Sequence, residues 1–100
     1  MTVSLTIATP TGNTSETLQV SNTTTAFEAV NRSHRVEYST YSSGIFITGI
    51  DGVMQNDTHS WMYLVNGEPP STGADSYTLE DGDNLTFWYM SNKRAMNLVG

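Results

Sequence analysis

The chain has 100 residues, no cysteine, four basic side chains and a net charge of −6. This length suits one domain, and the lack of cysteine excludes a disulfide framework and a thiolate metal site. Four cations are too few to neutralise a nucleic-acid backbone, and no apolar stretch approaches the ~20 residues of a membrane helix, so we expect neither nucleic-acid binding nor direct membrane insertion.

The first predicted element is a hairpin. Val3, Leu5 and Ile7 alternate with more polar residues, which is the period-two pattern of a half-buried strand. Residues 10–13 form a turn cluster, and residues 16–20 are interpreted as the returning strand.

One helical pattern follows and begins at Thr25. Thr25 and Glu28 have the spacing of a capping box, and Phe27, Val30 and His34 fall on one face. A helix of about ten residues does not persist alone, so we expect it to pack on a sheet. We expect His34 to cap its C-terminus, where positive charge is favourable.

Three or four strands are predicted after the helix. They cover residues 36–41, 45–50, 61–65 and 85–89. Asn66-Gly67 and Asp81-Gly82 are predicted turns. The order predicts an α+β domain, a β-grasp (ubiquitin-like) fold with one helix on a mixed or antiparallel sheet of four to six strands. We place this domain at residues 1–92 and a tail or edge segment at residues 93–100.

A spaced set of motifs resembles a known family, and the likeness covers roughly residues 2–90. The motifs lie at residues 44–53, 61–68, 73–74, 77, 79, 81–83 and 88–89. They are similar to extracellular modules of the type found as the C-terminal domain of transcobalamin and intrinsic factor. The resemblance implies a β-grasp fold on bacterial and archaeal surface proteins, beside other modules of the same parent chain.

The same resemblance implies a ligand site. In the vertebrate relatives this domain closes over one face of cobalamin, while a separate helical domain supplies the rest. The relatives' cobalamin-facing aromatic residue falls near Tyr63, beside Trp61, and a second contact falls near Ser71. Here residues 66–70 differ from the corresponding segment of the relatives in length and charge. Ser71 stands where the relatives have an apolar contact residue.

Five aromatic residues near the C-terminus allow two interpretations. They are Trp61, Tyr63, Phe87, Trp88 and Tyr89. Alternation places Trp61 and Tyr63 on one sheet face. It also places Phe87 and Tyr89 on one face and Trp88 on the opposite face. One group is expected in the core, and the other could form an exposed platform for a sugar ring or a corrin.

Asn-x-Ser/Thr sequons occur five times, where roughly two would arise by chance. Asn13, Asn22, Asn56 and Asn84 are candidate glycosylation sites, which favours a secreted or cell-surface glycoprotein. Asn31 is the weakest candidate because it flanks the predicted buried helix face.

Reactive groups are sparse in this sequence. The acidic turns at residues 51–57 and 80–83 could hold Ca²⁺, but turn chemistry explains them better. The two histidines are too few for zinc, and no nucleophile elbow or phosphate loop occurs, so we expect no metal and no catalytic residues.

The sequence therefore predicts a non-catalytic extracellular module of a larger cell-surface or secreted protein. Its role would be recognition, adhesion or spacing, with a small molecule or glycan as candidate ligand. The alternative is a corrinoid-binding lid that acts with a separate helical domain. We expect the isolated domain to be a monomer without a resident cofactor.

Overall fold

The structure, a computed structural model, describes residues 1–42, 44–70 and 72–91. This part of the chain is mostly strand with one helix, which fits the expected α+β class. The elements are β1 (Thr2–Thr9), β2 (Gly12–Gln19), α1 (Ala26–Ser33), β3 (Val36–Tyr41), β4 (Gly44–Ile50), β5 (Val53–Met54), β6 (His59–Val65) and β7 (Asn84–Ser91). The predicted tail at residues 93–100 lies outside the described residues.

Four strands form a mixed sheet in the order β2-β1-β7-β6. β1 pairs with β2 in an antiparallel hairpin and with β7 in parallel, so that Leu5 lies opposite Leu85. Val3, Leu5 and Ile7 are buried, which confirms the alternation expected for the first strand.

The expectation of a single sheet is wrong, because the other strands form a separate antiparallel sheet in the order β3-β4-β5. β5 has only two residues and pairs with Gly49 and Ile50 at the end of β4. A strand this short cannot extend a ladder from β4 to β6, and it is also too short to show a periodicity in sequence. Five strands therefore follow the helix in the described residues, rather than three or four.

The helix begins as the sequence predicts. The Thr25 hydroxyl accepts the Glu28 amide hydrogen at 3.2 Å, and the Glu28 carboxylate accepts the Thr25 amide hydrogen at 3.1 Å. Val30 is fully buried, Phe27 is half-buried, and His34 is the C-cap residue, whose amide donates to the Val30 carbonyl at 2.9 Å. No helix within the described residues is long and apolar enough to cross a membrane.

The core lies between the helix and the strands. Its larger fully buried side chains are Val3, Leu5, Val30, Ile50, Leu79, Leu85 and Phe87. Because this one cluster draws on the helix and on strands of both sheets, burial of apolar surface holds the two sheets in one domain.

Both predicted turns form. Asn66 and Gly67 adopt positive φ, and Val65 and Glu68 exchange backbone hydrogen bonds of 2.9 and 3.1 Å across them. This is the geometry that an Asn-Gly pair favours. Gly82 also has positive φ, which glycine adopts without a steric cost.

Candidate functional site

A cavity of about 310 Å³ opens between β4, β6 and the loop that follows the Asn66-Gly67 turn. We call it the seam pocket. Its lining residues are Ile45, Phe46, Ile47, Trp61, Met62, Tyr63, Pro69, Pro70, Thr72, Gly73, Ala74 and Phe87. These residues are mainly apolar and none carries a charge, so the pocket favours an uncharged apolar surface.

The two strand walls of the seam pocket are joined by side chains. The Trp61 indole Nε1–H donates to the Val53 carbonyl at 2.8 Å, and the Tyr89 hydroxyl donates to the Met54 carbonyl at 2.8 Å. Both donors belong to the four-stranded sheet and both acceptors to β5. The sheets are therefore fastened at the β5 end, while the pocket lies along the rest of β4 and β6.

The third wall is formed by Pro69, Pro70, Thr72, Gly73 and Ala74 of the loop after the Asn66-Gly67 turn, and hydrogen bonds tie it to the elements around it. The Tyr63 hydroxyl on β6 donates to the Thr72 carbonyl. The Phe27 amide of the helix donates to the Ala74 carbonyl at 2.9 Å, and Ala74 is buried. These contacts anchor Thr72 to β6 and Ala74 to the helix.

Tyr63 supplies a polar group in an otherwise apolar lining. Burial raises the pKa of its phenol above the ordinary value of 10.0, and the charges of Tyr77 and Asp75 add to that rise, while the hydrogen bond to Thr72 opposes it. The phenol is therefore neutral near pH 7. Its one O–H is already donated to the Thr72 carbonyl, so toward a ligand the phenol offers its oxygen as an acceptor and its ring face.

The structure brings two of the three predicted ligand residues together. Trp61 and Tyr63 both line the seam pocket. Ser71, the third, lies outside the described residues. The sequence did not single out the opposite wall, Ile45 and Ile47, because an apolar strand residue has the same pattern in a core and in a pocket.

Four of the five aromatic residues of β6 and β7 share one face. Trp61 lies opposite Tyr89 and Tyr63 lies opposite Phe87, whereas Trp88 is on the other face opposite Met62. Trp61 and Phe87 are buried, so this group belongs to the core and the pocket wall.

The most exposed aromatic side chains lie elsewhere, on the three-stranded sheet. Tyr41 is 58% exposed and Phe46 is 57% exposed, and their rings meet edge to face at 5.3 Å. Their sequence pattern does not distinguish them from core residues, because aromatic residues favour strands whether or not a face is covered.

The candidate glycosylation sites are all exposed: Asn13, Asn22, Asn56 and Asn84. Asn31 is exposed as well, directly after the buried Val30. Asn56 differs from the others because its carbonyl oxygen accepts the amide hydrogens of Thr58 and His59, both at 2.9 Å, and its amide donates to the Tyr89 hydroxyl at 3.2 Å.

Carboxylates of the acidic turns accept hydrogen bonds from backbone amides. Asp83 accepts from the Glu80 amide at 2.8 Å, and Asp81 accepts from the Thr2 amide at 2.8 Å. Among the described residues no group of three or more His, Cys, Asp or Glu side chains is placed to hold a metal ion.

His34 lies between two carboxylates. Its Nδ1 is 2.6 Å from Asp51 Oδ2, and its Nε2 is 2.6 Å from Glu16 Oε1. Burial acts to lower the pKa of His34, but the hydrogen bonds and charges of Asp51 and Glu16 outweigh it and raise the pKa above the ordinary 6.5. The two carboxylates flank opposite ring nitrogens, so the three side chains cannot surround one metal ion.

Comparison of the chain with models of protein families gives a match. The model of a family described as "Domain of unknown function (DUF4430)" matches residues 23–91, which include β3 to β7 and the seam pocket. A comparison with curated protein sequences gives no match.

Two solved structures share the fold. Haptocorrin in complex with Cbi superposes with a TM-score of 0.84 at 24% identity, over 91% of this chain and 25% of the haptocorrin chain. A protein described as a candidate metal-binding protein, from Ruminococcus gnavus ATCC 29149, superposes with a TM-score of 0.82 at 19% identity, over 91% of this chain and 97% of that chain. This chain thus spans about a quarter of haptocorrin, and at these identities the likeness shows the fold alone.

Proposed function

Because the chain belongs to the DUF4430 family, whose role is unknown, we propose a function from its geometry: a non-catalytic recognition module that binds an uncharged, apolar-faced ligand in the seam pocket. The observation that carries this proposal is the pocket lining, which joins apolar walls from both sheets with one neutral phenol, Tyr63. Small-molecule sites have this composition.

We extend the proposal to the setting of the module. The five sequons favour secretion, and the domain would belong to a larger secreted or cell-surface protein, whose other domains are its partners. The likeness to a quarter of the haptocorrin chain supports such a modular setting. A β-grasp fold is part of the same proposal, supported by the hairpin, the single described helix and the parallel pairing of β1 with β7.

A ligand-detected NMR screen tests the binding role. Uncharged ring compounds are offered to the wild-type chain, to Tyr63→Ala and to Tyr41→Ala, which removes an exposed aromatic ring outside the seam pocket. We expect saturation transfer to several compounds with wild type and Tyr41→Ala, and its loss with Tyr63→Ala. Binding that survives in Tyr63→Ala but is lost in Tyr41→Ala would place recognition on the outer sheet face and reject the proposal.

The non-catalytic part of the proposal needs its own experiment. The purified chain is assayed with common ester, peptide and glycoside substrates, and no turnover above buffer is expected. Turnover that scales with protein concentration and is lost in a single carboxylate, His or Ser variant would show that the chain is an enzyme.

A corrinoid is the second candidate ligand, favoured by the shared fold with haptocorrin, which was crystallised with Cbi. The seam pocket, at about 310 Å³, lies at the lower limit for small-molecule sites, so it could enclose only part of so large a ligand. The domain would then act as a lid beside a separate helical domain. Titration with cobalamin, followed by tryptophan quenching, tests this; no change at high micromolar concentration would remove this candidate for the isolated domain.

A further inference from the structure

In addition to the shared apolar core, side chains link the four-stranded sheet to β5 at one place and to His34, which lies between the helix and β3, at another. On the β6 side of the sheet, Trp61 of β6 and Tyr89 of β7 donate to the carbonyls of β5, at 2.8 Å each. At the opposite edge, on β2, the contact is between His34 Nε2 and Glu16 Oε1 at 2.6 Å. His34 is a histidine, the side chain whose charge can change near pH 7.

Asp51 positions the ring for this contact. Its amide donates to the Arg35 carbonyl at 2.8 Å, and its Oδ1 accepts the Arg35 amide hydrogen at 3.1 Å. Its other oxygen, Oδ2, meets His34 Nδ1. Asp51 and His34 therefore lie together at the end of the three-stranded sheet where Val36 pairs with Ile50, and Glu16 is the partner from the four-stranded sheet.

The geometry requires a charged ring. A neutral imidazole has one N–H donor and one lone pair, so one of its nitrogens would present a lone pair to a carboxylate oxygen at 2.6 Å. An imidazolium donates from both nitrogens and satisfies both carboxylates. Among the described residues, Asp51 on the β4–β5 turn and Glu16 on β2 are the charged groups that act on the ring.

From this cluster we infer that His34 is a pH-dependent clasp: when protonated it holds β2 to the β4–β5 turn, and when it loses its proton it releases that edge and changes the shape of the seam pocket. The effect on the pocket follows because its walls come from different sheets, β4 from one and β6 from the other. The predicted effect on ligand binding rests on the proposed function. The predicted change in structure does not depend on it.

NMR on the labelled full chain tests the clasp without any ligand. His34 ring resonances, the Trp61 indole N–H and the methyls of Ile45 and Ile47 are followed from about pH 5.5 to pH 9. We expect the Trp61 and methyl resonances to shift with the midpoint of His34, above 6.5. Pocket resonances that do not change, or that follow a different midpoint, would overturn the inference.

Two variants and a control separate the clasp from general charge effects. Glu16→Gln should lower the His34 and pocket midpoints together by about half a unit or more, and His34→Gln should abolish the pocket transition. Glu68→Gln removes the same charge from an exposed turn and should leave the midpoints unchanged. A Glu16→Gln midpoint equal to wild type would contradict the clasp. Because none of these measurements uses a ligand, failure of the clasp and failure of the proposed binding function are distinguishable.

Discussion

The indole Nε1–H of Trp61 donates to the Val53 carbonyl oxygen at 2.8 Å, so that a side chain joins two sheets between which no backbone ladder runs in the described strands. Trp61 is 8% exposed, and its ring packs against Tyr89 at 5.1 Å. The residue therefore has two roles, one in the core and one in setting the distance between the pocket walls.

Replacing Trp61 by Phe should destabilise the domain. The change leaves the Val53 carbonyl without its donor and removes part of a buried ring, which together cost about 1–3 kcal/mol. Urea unfolding of Trp61→Phe and Trp88→Phe measures the difference, because Trp88 is half-buried on the opposite sheet face. Equal losses of stability in the two variants would contradict a special role for Trp61.

Stability should fall as the pH rises through neutrality. The pKa of His34 is raised in the folded chain by Asp51 and Glu16 against the effect of burial, so the folded state binds the proton more tightly than the unfolded state. The stabilisation is complete below the unfolded value of 6.5 and is lost as the pH passes the folded pKa. Urea unfolding at a series of pH values should show this decline in wild type and a flatter profile in His34→Gln; parallel profiles would refute it.

Asn56 should matter for stability although it is exposed. Asn56→Ala removes the acceptor of the Thr58 and His59 amides and should cost about 1–2 kcal/mol in the free energy of unfolding. Asn22→Ala removes another exposed sequon asparagine and should change stability by less than about 0.5 kcal/mol. Thermal unfolding of both variants compares them, and similar values would show that the Asn56 turn is dispensable.

The helix cap should contribute measurably. Thr25→Ala removes the hydroxyl that accepts the Glu28 amide hydrogen, and a lost N-cap typically costs about 1 kcal/mol. Thr23→Ala is the control, since Thr23 is exposed outside the helix and its hydroxyl contacts that of Ser21. If the two variants have the same midpoint in urea, the capping box is not a source of stability.

Local features of the fold could be predicted because the residues that specify them are close in sequence. Thr25 and Glu28 specify the helix start, and Val3, Leu5 and Ile7 specify a buried strand face. The division into two sheets could not be predicted, because it depends on β5, a two-residue strand without a period, and on hydrogen bonds made by the side chains of Trp61 and Tyr89.

The candidate site was predictable on one side only. The aromatic pattern and the family resemblance identified Trp61 and Tyr63, but the facing residues Ile45 and Ile47 look like ordinary strand residues. The His34 cluster joins residues 18 positions before and 17 positions after the histidine. Contacts between residues so far apart leave no local sequence pattern. The sequence therefore predicts that His34 caps the helix, but not that it contacts Glu16 and Asp51.

Protein-detected NMR on the chain labelled at isoleucine methyls and tyrosine rings tests whether the ligand binds in the seam pocket, because it locates the bound ligand. Compounds that bind in the ligand-detected screen are added to the labelled chain. We expect the Ile45 and Ile47 methyls to shift on titration, while the ring resonances of Tyr41 stay in place. Shifts at Tyr41 with unchanged Ile45 and Ile47 would contradict it.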